Sequence, residues 1–423
     1  MASPNDLVVF QNVPLPTSAT VGQTLTICEP SVANNGSQIY FSGNLFAARS
    51  LDNAATWTFL SPFTTFPWAD GGFCCDQTLV YAPSHDLTIW FLQYSPRGNK
   101  NTLRLAVKKG KGGAPFDHYF DLVPEKVNSA FKNEWFDYNH AALSNKFLYV
   151  TTNTYTDEKW KRAVIFRIPL SALTASSSKL DYSYFPWDRN ESLRCTAGAR
   201  DVMYFAAHNS LSQIRLFTWP ESSPDVSFND ISVRPWIRGG AKAPGPDGKD
   251  WLGRAKGDIT GGYFSKGTLG FLWSANAQPP ARPQPYVRAV QIDATTKAVI
   301  NEPDIWNDSF AFAFPDAISN TDGDVGITLY RGGGKVYPTH VVGMWDAAAN
   351  RWQLADTKAS TNGPADTKWG DYIAVRRHAP DGLTFIASGF TLQGGGTQAN
   401  IEPHYVHFGL RKHAEEAAKG LEP

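Results

Sequence analysis

The sequence has few cysteines, balanced charge and no long apolar run. Four cysteines are too few to build a disulfide scaffold for a chain of 423 residues. Lysine plus arginine and aspartate plus glutamate each total 39, so no net field would concentrate a polyanion, and we expect no nucleic-acid partner. No run of 18 apolar residues occurs, so we also expect no membrane-spanning segment.

The N-terminus, Met1-Ala2-Ser3-Pro4, lacks the basic and apolar stretch of a signal peptide. This start is typical either of a cytoplasmic protein or of one whose leader is absent from the chain. A secreted or periplasmic location is our expectation.

Helical patterning is almost absent too, because only residues 412–419 have helix-forming composition. Aromatic residues instead make up 13% of the chain, with 35 glycines and 28 prolines to form turns. Short apolar runs rich in β-branched and aromatic residues recur at Gln38 to Phe46, Thr78 to Tyr94, Phe147 to Asn153, Val202 to Ala207, Thr268 to Trp273, Val325 to Tyr330 and Leu383 to Phe390. This pattern predicts an all-β fold of many short strands.

A short polar cluster precedes or opens each of these units. The clusters begin at Cys28, Cys75, Asp137, Arg194, Asp258, Pro315 and Gly370, about 57 residues apart on average. A four-stranded propeller blade needs about 40 to 50 residues, so each unit fits one blade with some loop insertion. The sequence therefore predicts a single seven-bladed β-propeller over residues 1–411, with four-stranded antiparallel blades around a central channel, followed by a tail over 412–423.

Two further features of the ring follow from this prediction. A strand near Leu7 to Phe10 would complete the last blade, because an open sheet edge would otherwise remain exposed. The stretch Gly239 to Lys256, with Ala-Pro-Gly-Pro-Asp-Gly in its middle, is predicted to be a long loop between blades four and five.

The stretch Ser50 to Trp57 reads S-x-D-x-A-x-T-W. It resembles the Asp-box of the sialidase-like (BNR) β-propeller superfamily, with Ala54 in place of the usual glycine. A similar Asp-led turn occurs at Trp345 to Trp352, and the segments Glu29 to Val32 and Asp366 to Tyr372 are similar to uncharacterised bacterial members. The resemblance implies a turn between the two outer strands of a blade, with Asp52 accepting hydrogen bonds from the turn.

The catalytic motifs of sialidases are not matched residue by residue. The resemblance would imply an arginine triad, a Tyr/Glu nucleophile pair and an aspartic acid catalyst. The stretch Phe166 to Pro169 looks like the F-R-I-P motif of the first arginine, but it lies in the third unit instead of before the first box. We therefore expect Phe166 to Pro169 to form an outer strand.

In a propeller the starts of the innermost strands converge on the channel. The polar clusters place there Glu29, Asp76, Gln77, Asp137, His140, Arg194, Asp258, Asp316, Asp371 and Tyr372. So many carboxylates around one axis require a cation, an arginine or protonation to offset their repulsion. An aspartate at a strand start that only caps a loop is the structural alternative for each residue taken singly.

One hypothesis is a pocket that binds or cleaves a carbohydrate or another small molecule. His140, Tyr372, Asp76 and Asp371 are its candidate catalytic groups. The candidate substrate-binding residues are Arg194, Arg200, Glu29, Gln77 and Asp137. An exo-acting glycoside hydrolase would use the carboxylates, and a uronate-cleaving polysaccharide lyase would use His140, Tyr372 and an arginine. A non-catalytic sugar- or protein-binding propeller, lectin-like, is the alternative. In either case we expect a monomer.

A second hypothesis is a bound Ca²⁺, with Asp258 and Asp316 among its ligands. The nearest approach to a calcium-binding loop, Asn320 to Asp324, lacks the distal glutamate and is predicted to be a hairpin turn.

The cysteines Cys28, Cys74, Cys75 and Cys195 all fall beside inner-strand starts. We expect buried free thiols there. The alternatives are a disulfide from Cys28 to Cys74 or Cys75, a thiolate metal site, and a bridge between the adjacent Cys74 and Cys75.

Overall fold

The computed structural model describes residues 3–16, 28–112, 116–174, 179–189, 191–394 and 401–419. These residues form seven four-stranded antiparallel sheets arranged as the blades of one propeller. The predicted all-β, seven-bladed propeller is therefore confirmed.

Within each blade the strands are ordered from the innermost to the outermost. Blades one to four comprise β2 (Ser31–Asn35), β3 (Gln38–Ser42), β4 (Ala47–Ser50) and β5 (Thr58–Leu60); β6 (Phe73–Ala82), β7 (Leu87–Tyr94), β8 (Leu103–Lys109) and β9 (His118–Leu122); β10 (Trp135–Leu143), β11 (Phe147–Thr156), β12 (Lys159–Pro169) and β13 (Ser183–Trp187); and β14 (Arg194–Cys195), β15 (Val202–Ser210), β16 (Gln213–Pro220) and β17 (Ser227–Ser232). Blades five to seven comprise β18 (Ile259–Ser265), β19 (Thr268–Ala275), β20 (Tyr286–Asp293) and β21 (Val299–Asn301); β22 (Ala311–Ser319), β23 (Val325–Gly333), β24 (Val336–Asp346) and β25 (Arg351–Ala359); and β26 (Ala374–Arg377), β27 (Phe385–Leu392), β28 (Ile401–Leu410) and β1 (Leu7–Pro14).

The ring closes through its N-terminal strand, as predicted. Strand β1 pairs antiparallel with β28, from Leu7 opposite Leu410 to Pro14 opposite His404. The last blade thus joins the two ends of the described chain and leaves no open edge between them.

Some inner and middle strands are buried along their whole length because both faces of each blade pack against a neighbouring blade. Every residue of β7 and β22 is buried. This burial explains why these strands read as continuous apolar runs and not as an alternation of apolar and polar residues. Bulky rings fill the space between the blades, including the fully buried Trp90, Trp219 and Trp273.

The Ser50 to Trp57 stretch forms the turn between β4 and β5, the two outer strands of blade one. The Asp52 carboxylate accepts hydrogen bonds from Thr56 N at 2.8 Å and Ser50 Oγ at 2.8 Å. The Trp57 ring packs edge-on against Phe41 at 6.3 Å between ring centroids. Trp345 and Trp352 flank the corresponding turn of blade six. These turns lie on the outer rim, away from the channel.

Three smaller predictions can be compared with the structure. Phe166 to Pro169 ends β12, an outer strand, and Asn320 to Asp324 forms the hairpin turn between β22 and β23, both as expected. The tail contains a short helix, Ala414–Lys419, and Lys412 Nζ lies 3.0 Å from Asp324 Oδ2. No helix among the described residues is long and apolar enough to cross a membrane.

The cysteines divide into two pairs. Cys28 and Cys195 are buried free thiols, as predicted. The same prediction is wrong for Cys74 and Cys75, which form a disulfide with each other and are only partly buried. The ladder between β6 and β7 is irregular between Phe73 and Gln77, so the alternation that would point adjacent side chains to opposite faces is lost there.

Candidate functional site

The inner strands begin around one mouth of the channel, which we call the upper mouth. It holds a cavity of about 590 Å³, a size typical of small-ligand sites. The cavity is lined by Trp135, Asp137, Tyr138, Asn153, Tyr155, Glu158, Trp160, Ser192, Arg238, Arg254, Ala255, Lys256, Gly257, Asp258, Thr260, Ser274, Phe314 and Asp371. It therefore combines carboxylates, cationic side chains and an aromatic wall.

Irregular backbone positions several of these groups. The ladder of β10 shifts between Asp137 and His140, and Tyr138 there has a φ of 62°. Phe314 in β22 has a φ of 57°, and Glu29, just before β2, has a φ of 44°. Left-handed backbone at residues other than glycine costs free energy and is concentrated at functional sites. The bulges re-aim the strand starts of blades three and six toward the mouth.

A long loop between blades four and five crosses the mouth. Its Trp251 side chain is fully buried and contacts Phe314 and Trp369, with ring centroids 5.9 and 6.1 Å away. The Gly253 amide donates to the Thr367 carbonyl at 3.0 Å. These anchors near blade seven hold the next residue, Arg254, over the channel. The loop itself was predicted, but its path across the mouth was not.

Arg254 is the cation among the carboxylates. Its guanidinium is hydrogen-bonded to the Asp371 carboxylate and lies 3.6 Å from Glu29 Oε1. Glu29 Oε1 accepts from the Asp371 amide at 2.8 Å, and Glu29 Oε2 accepts from Asn44 Nδ2 at 2.9 Å. Burial raises the pKa of Glu29 to about 7, with repulsion from Asp371 adding to the effect and Arg254 opposing it.

Asp76 and Asp137 complete a group of four carboxylates with Glu29 and Asp371. Burial, followed by repulsion from Glu29, Asp137 and Asp371, raises the pKa of Asp76 well above its usual value. Burial also raises the pKa of Asp137, whose carboxylate accepts a hydrogen bond from the Gln93 side chain. Protonation and one arginine thus offset the repulsion that the sequence implied.

A second arginine neutralises the acids on the blade-four side of the mouth. Arg238 Nη2 donates to Asp258 Oδ1 at 2.8 Å and to Glu191 Oε2 at 2.9 Å. Asp258 is therefore part of a salt bridge at the cavity wall.

The Glu29→Gln substitution should reduce the pH dependence of stability. The raised pKa of Glu29 means that the folded state holds a proton that the unfolded state releases above pH 4.5. Native stability then falls as pH rises from 4.5 to about 7, by about 3 kcal/mol from this group. Glutamine keeps the acceptor for the Asp371 amide, and Asn44 can turn its Oδ1, which has no partner among the described residues, toward the new amide.

Urea unfolding at pH 5 and pH 8 measures this effect. We expect Glu29→Gln to gain stability over the parent protein at pH 8 and little at pH 5. The exposed Glu125→Gln is the matched control and should follow the parent protein at both values. A Glu29→Gln variant with the parent's pH dependence would refute the assignment.

His140 belongs to an aromatic cluster with Tyr138 and Tyr372. The His140 ring centroid lies 4.4 Å from Tyr138 and 5.2 Å from Tyr372. Burial, then the charges of Arg194 and Arg376, lowers the pKa of His140 well below its usual value. Burial, then the neighbouring carboxylates, raises the pKa of Tyr372. Both side chains are therefore uncharged at neutral pH, and neither lines the upper cavity.

The other predicted residues lie apart from the cavity. Gln77 is fully buried and joins blades one and two, because it donates to Phe46 O at 3.0 Å and accepts from Trp90 Nε1 at 2.8 Å. Arg194 is buried and paired with Asp316, and Arg200 lines a different cavity at the opposite end of the channel. Gln77 thus serves packing in this structure.

Asp258 and Asp316 are not brought together. The Asp316 Cα lies beside Gly261 in blade five. Gly261 is three residues after Asp258, and three residues of extended strand span roughly 10 Å. Asp316 is bound by Arg194 and Arg376. Within the described residues, the sets of three ligating side chains close enough for one ion are His378, Asp381 and His407, and Asp322, Asp324 and His413. Neither set includes the predicted pair.

The upper cavity also contains residues that the sequence did not single out. Arg238, Arg254 and Lys256 come from the crossing loop and its flank. Trp135, Tyr155 and Trp160 come from blade three, and the Trp135 and Tyr155 rings stack with centroids 5.1 Å apart. A signal for the loop residues was present in the cationic Arg254 and Lys256 beside a tryptophan in a Gly/Pro-rich stretch.

No family model matches the chain, and no curated protein matches its sequence significantly. Solved propellers share its shape at low identity. The α-L-arabinofuranosidase of Fusarium graminearum, in complex with an iminosugar inhibitor, is 10% identical with a TM-score of 0.46 and covers 94% of this chain and 97% of that one.

Two further solved structures widen the comparison. The α-L-arabinanase of Penicillium chrysogenum complexed with arabinobiose is 10% identical with a TM-score of 0.45, and the match covers 96% of this chain and 99% of that one. The quinohemoprotein alcohol dehydrogenase of Comamonas testosteroni is 8% identical with a TM-score of 0.47, and the match covers 96% of this chain and 76% of that one. At such identities the likeness describes the fold alone and carries nothing about the reaction.

Proposed function

We propose that the protein is an exo-acting glycoside hydrolase whose reaction takes place at the upper mouth. The observation that carries the proposal is the pair Asp137 and Asp371, two cavity-lining carboxylates in different surroundings. Asp371 is held by the Arg254 guanidinium, whereas Asp137 accepts from the neutral Gln93 amide. Hydrolysis of a glycoside needs one carboxyl that keeps its proton and one that is ionised.

The roles follow from these surroundings. Burial raises the pKa of both carboxyls. Arg254 is the main group that opposes the rise at Asp371, whereas at Asp137 the hydrogen bond from Gln93 opposes it most and Arg254 less. Asp137 is thus the proton donor to the leaving oxygen, and Asp371 is the ionised partner that acts as nucleophile or activates water. Trp135, Tyr155 and Trp160 offer ring faces on which a sugar can stack.

The lyase hypothesis finds less support. It requires Tyr372 and His140 to reach a substrate, yet Tyr372 is 4% exposed and neither residue lines the cavity. The Ser50 to Trp57 turn supports placing the chain with the sialidase-like propellers, but it adds nothing about the reaction. A calcium ion bound through Asp258 and Asp316 stays a prediction, which metal analysis of the dialysed protein with and without chelator checks.

Turnover of a panel of oligosaccharides and aryl glycosides tests the proposal. We expect the parent protein to release sugar from at least one panel member, and the double variant Asp137→Asn, Asp371→Asn to lose activity at least 10³-fold. Exposed Asp188→Asn, outside the cavity, should keep full activity. If the double variant retains turnover, the two carboxyls are not catalytic.

A further inference from the structure

A second cavity lies at the opposite end of the channel, which we call the lower mouth. The turns that join the first and second strands of the blades surround it, and its volume is about 890 Å³. Much of its wall is apolar, with Val80, Leu143, Phe264 and Ile318 at or near the ends of their inner strands. The charged residues in this wall are three arginines, one lysine and three aspartates.

Arg376 lines this cavity and shares one carboxylate with Arg194. Asp316 Oδ1 lies 2.6 Å from Arg194 Nη2, and Asp316 Oδ2 lies 3.3 Å from Arg376 Nη1. One carboxylate leaves one of two guanidinium charges uncompensated. Arg194 is 8% exposed, and its Nη1 has no hydrogen-bond partner in the part of the chain that the structure describes.

Two more arginines add to this charge. Arg377 donates to the Ser319 carbonyl from Nε at 3.2 Å and from Nη2 at 2.9 Å, and a carbonyl carries no net charge. Arg200 also lines the cavity, with no ion pair to any described residue. Burial, followed by the charge of Arg200, lowers the pKa of Arg377, as expected where positive charge lacks a counterion.

The acidic residues of the same wall do not cancel this charge. Asp201 and Asp322 are exposed at the rim, where water screens them. The Asp381 carboxylate is engaged by His378 Nδ1 at 2.5 Å and by the Leu383 and Thr384 amides at 2.6 and 2.9 Å. Lys266 is exposed as well, so water screens its charge equally, and the charge that stays unscreened is that of the partly buried arginines.

We propose that the lower mouth is a second ligand site that binds an organic anion, a carboxylate or phosphate group carried on an apolar body. Arginine forks match the oxygens of both head groups, and the apolar wall would cover the remainder of the ligand. The site is separate from the carboxylates of the upper mouth, so it stands whether or not the protein cleaves glycosides.

Calorimetric titration at low ionic strength tests this site with acetate, hexanoate and hexyl phosphate. We expect hexanoate to bind at least tenfold more tightly than acetate, because four more methylenes leave water. Whichever of hexanoate and hexyl phosphate binds more tightly identifies the head group that the site prefers. Arg200→Gln and Arg377→Gln should each weaken binding at least tenfold, and the exposed Arg351→Gln should leave it unchanged.

Three results would overturn the proposal: no binding of hexanoate or hexyl phosphate, hexanoate binding no tighter than acetate, or both variants binding like the parent protein. Arg200 is exposed, so its substitution spares the core and keeps the test valid if Arg377→Gln fails to fold.

Discussion

Asp137→Asn should lower turnover of a glycoside with a sugar leaving group by about 10²- to 10⁴-fold, while a dinitrophenyl glycoside loses at most about tenfold. A sugar alkoxide must be protonated as it departs, whereas dinitrophenolate leaves without a proton. Asp137 is the cavity-lining carboxyl that has a neutral hydrogen-bonding partner and a raised pKa, so we assign it as the proton source.

Asp371→Asn should behave differently, because its carboxylate attacks or activates water whichever group leaves. Its turnover should fall by a similar factor on both substrates. Comparing kcat/KM of the two variants on the two substrates measures the difference, with Asp188→Asn as the control. If the loss in Asp137→Asn does not depend on the leaving group, its role as the acid is wrong.

Arg254→Met should destabilise the protein by about 3 kcal/mol at pH 8. The substitution removes the cation that pairs with Asp371 and lies 3.6 Å from Glu29, and it leaves buried carboxylates that repel one another. These groups take up protons as the pH falls, so the loss should shrink at pH 5. Arg254→Lys, which keeps the charge, should lose less than Arg254→Met.

Urea unfolding of these variants at both pH values measures the effect. Arg351→Met, at an exposed position outside the site, is the matched control and should stay within about 0.5 kcal/mol of the parent protein. An equal loss for Arg254→Met at pH 5 and pH 8 would mean that Arg254 acts by packing and not by its charge.

The blades could be predicted because their signals are local. A polar cluster followed by an apolar strand repeats along the chain, and each cluster lies within or just before an innermost strand of the structure. The same register placed Glu29, Asp76, Asp137 and Asp371 around one mouth. The order of the strands along the chain was enough to place these carboxylates at one mouth, because the inner strands all run in the same direction through the channel.

The rest of the site depends on contacts that no local pattern contains. Arg254 meets Asp371, 117 residues away, because Trp251 anchors the loop near blade seven. The disulfide between Cys74 and Cys75 needs a bulge that the alternation of β6 does not reveal. Gln77 is a polar residue at a strand start, but its amide donates to Phe46 of blade one and accepts from Trp90 of its own blade.

Cleavage of a glycosidic bond by the carboxylates of the upper mouth is the central proposal. The most direct measurement follows the anomeric protons of a panel glycoside by NMR in the presence of the parent protein and of the double variant Asp137→Asn, Asp371→Asn. We expect the signal of the glycosidic anomeric proton to decay and free sugar to appear with the parent protein only. Glycosides that stay intact with the parent protein while saturation transfer shows them bound would contradict the proposal and indicate a sugar-binding propeller.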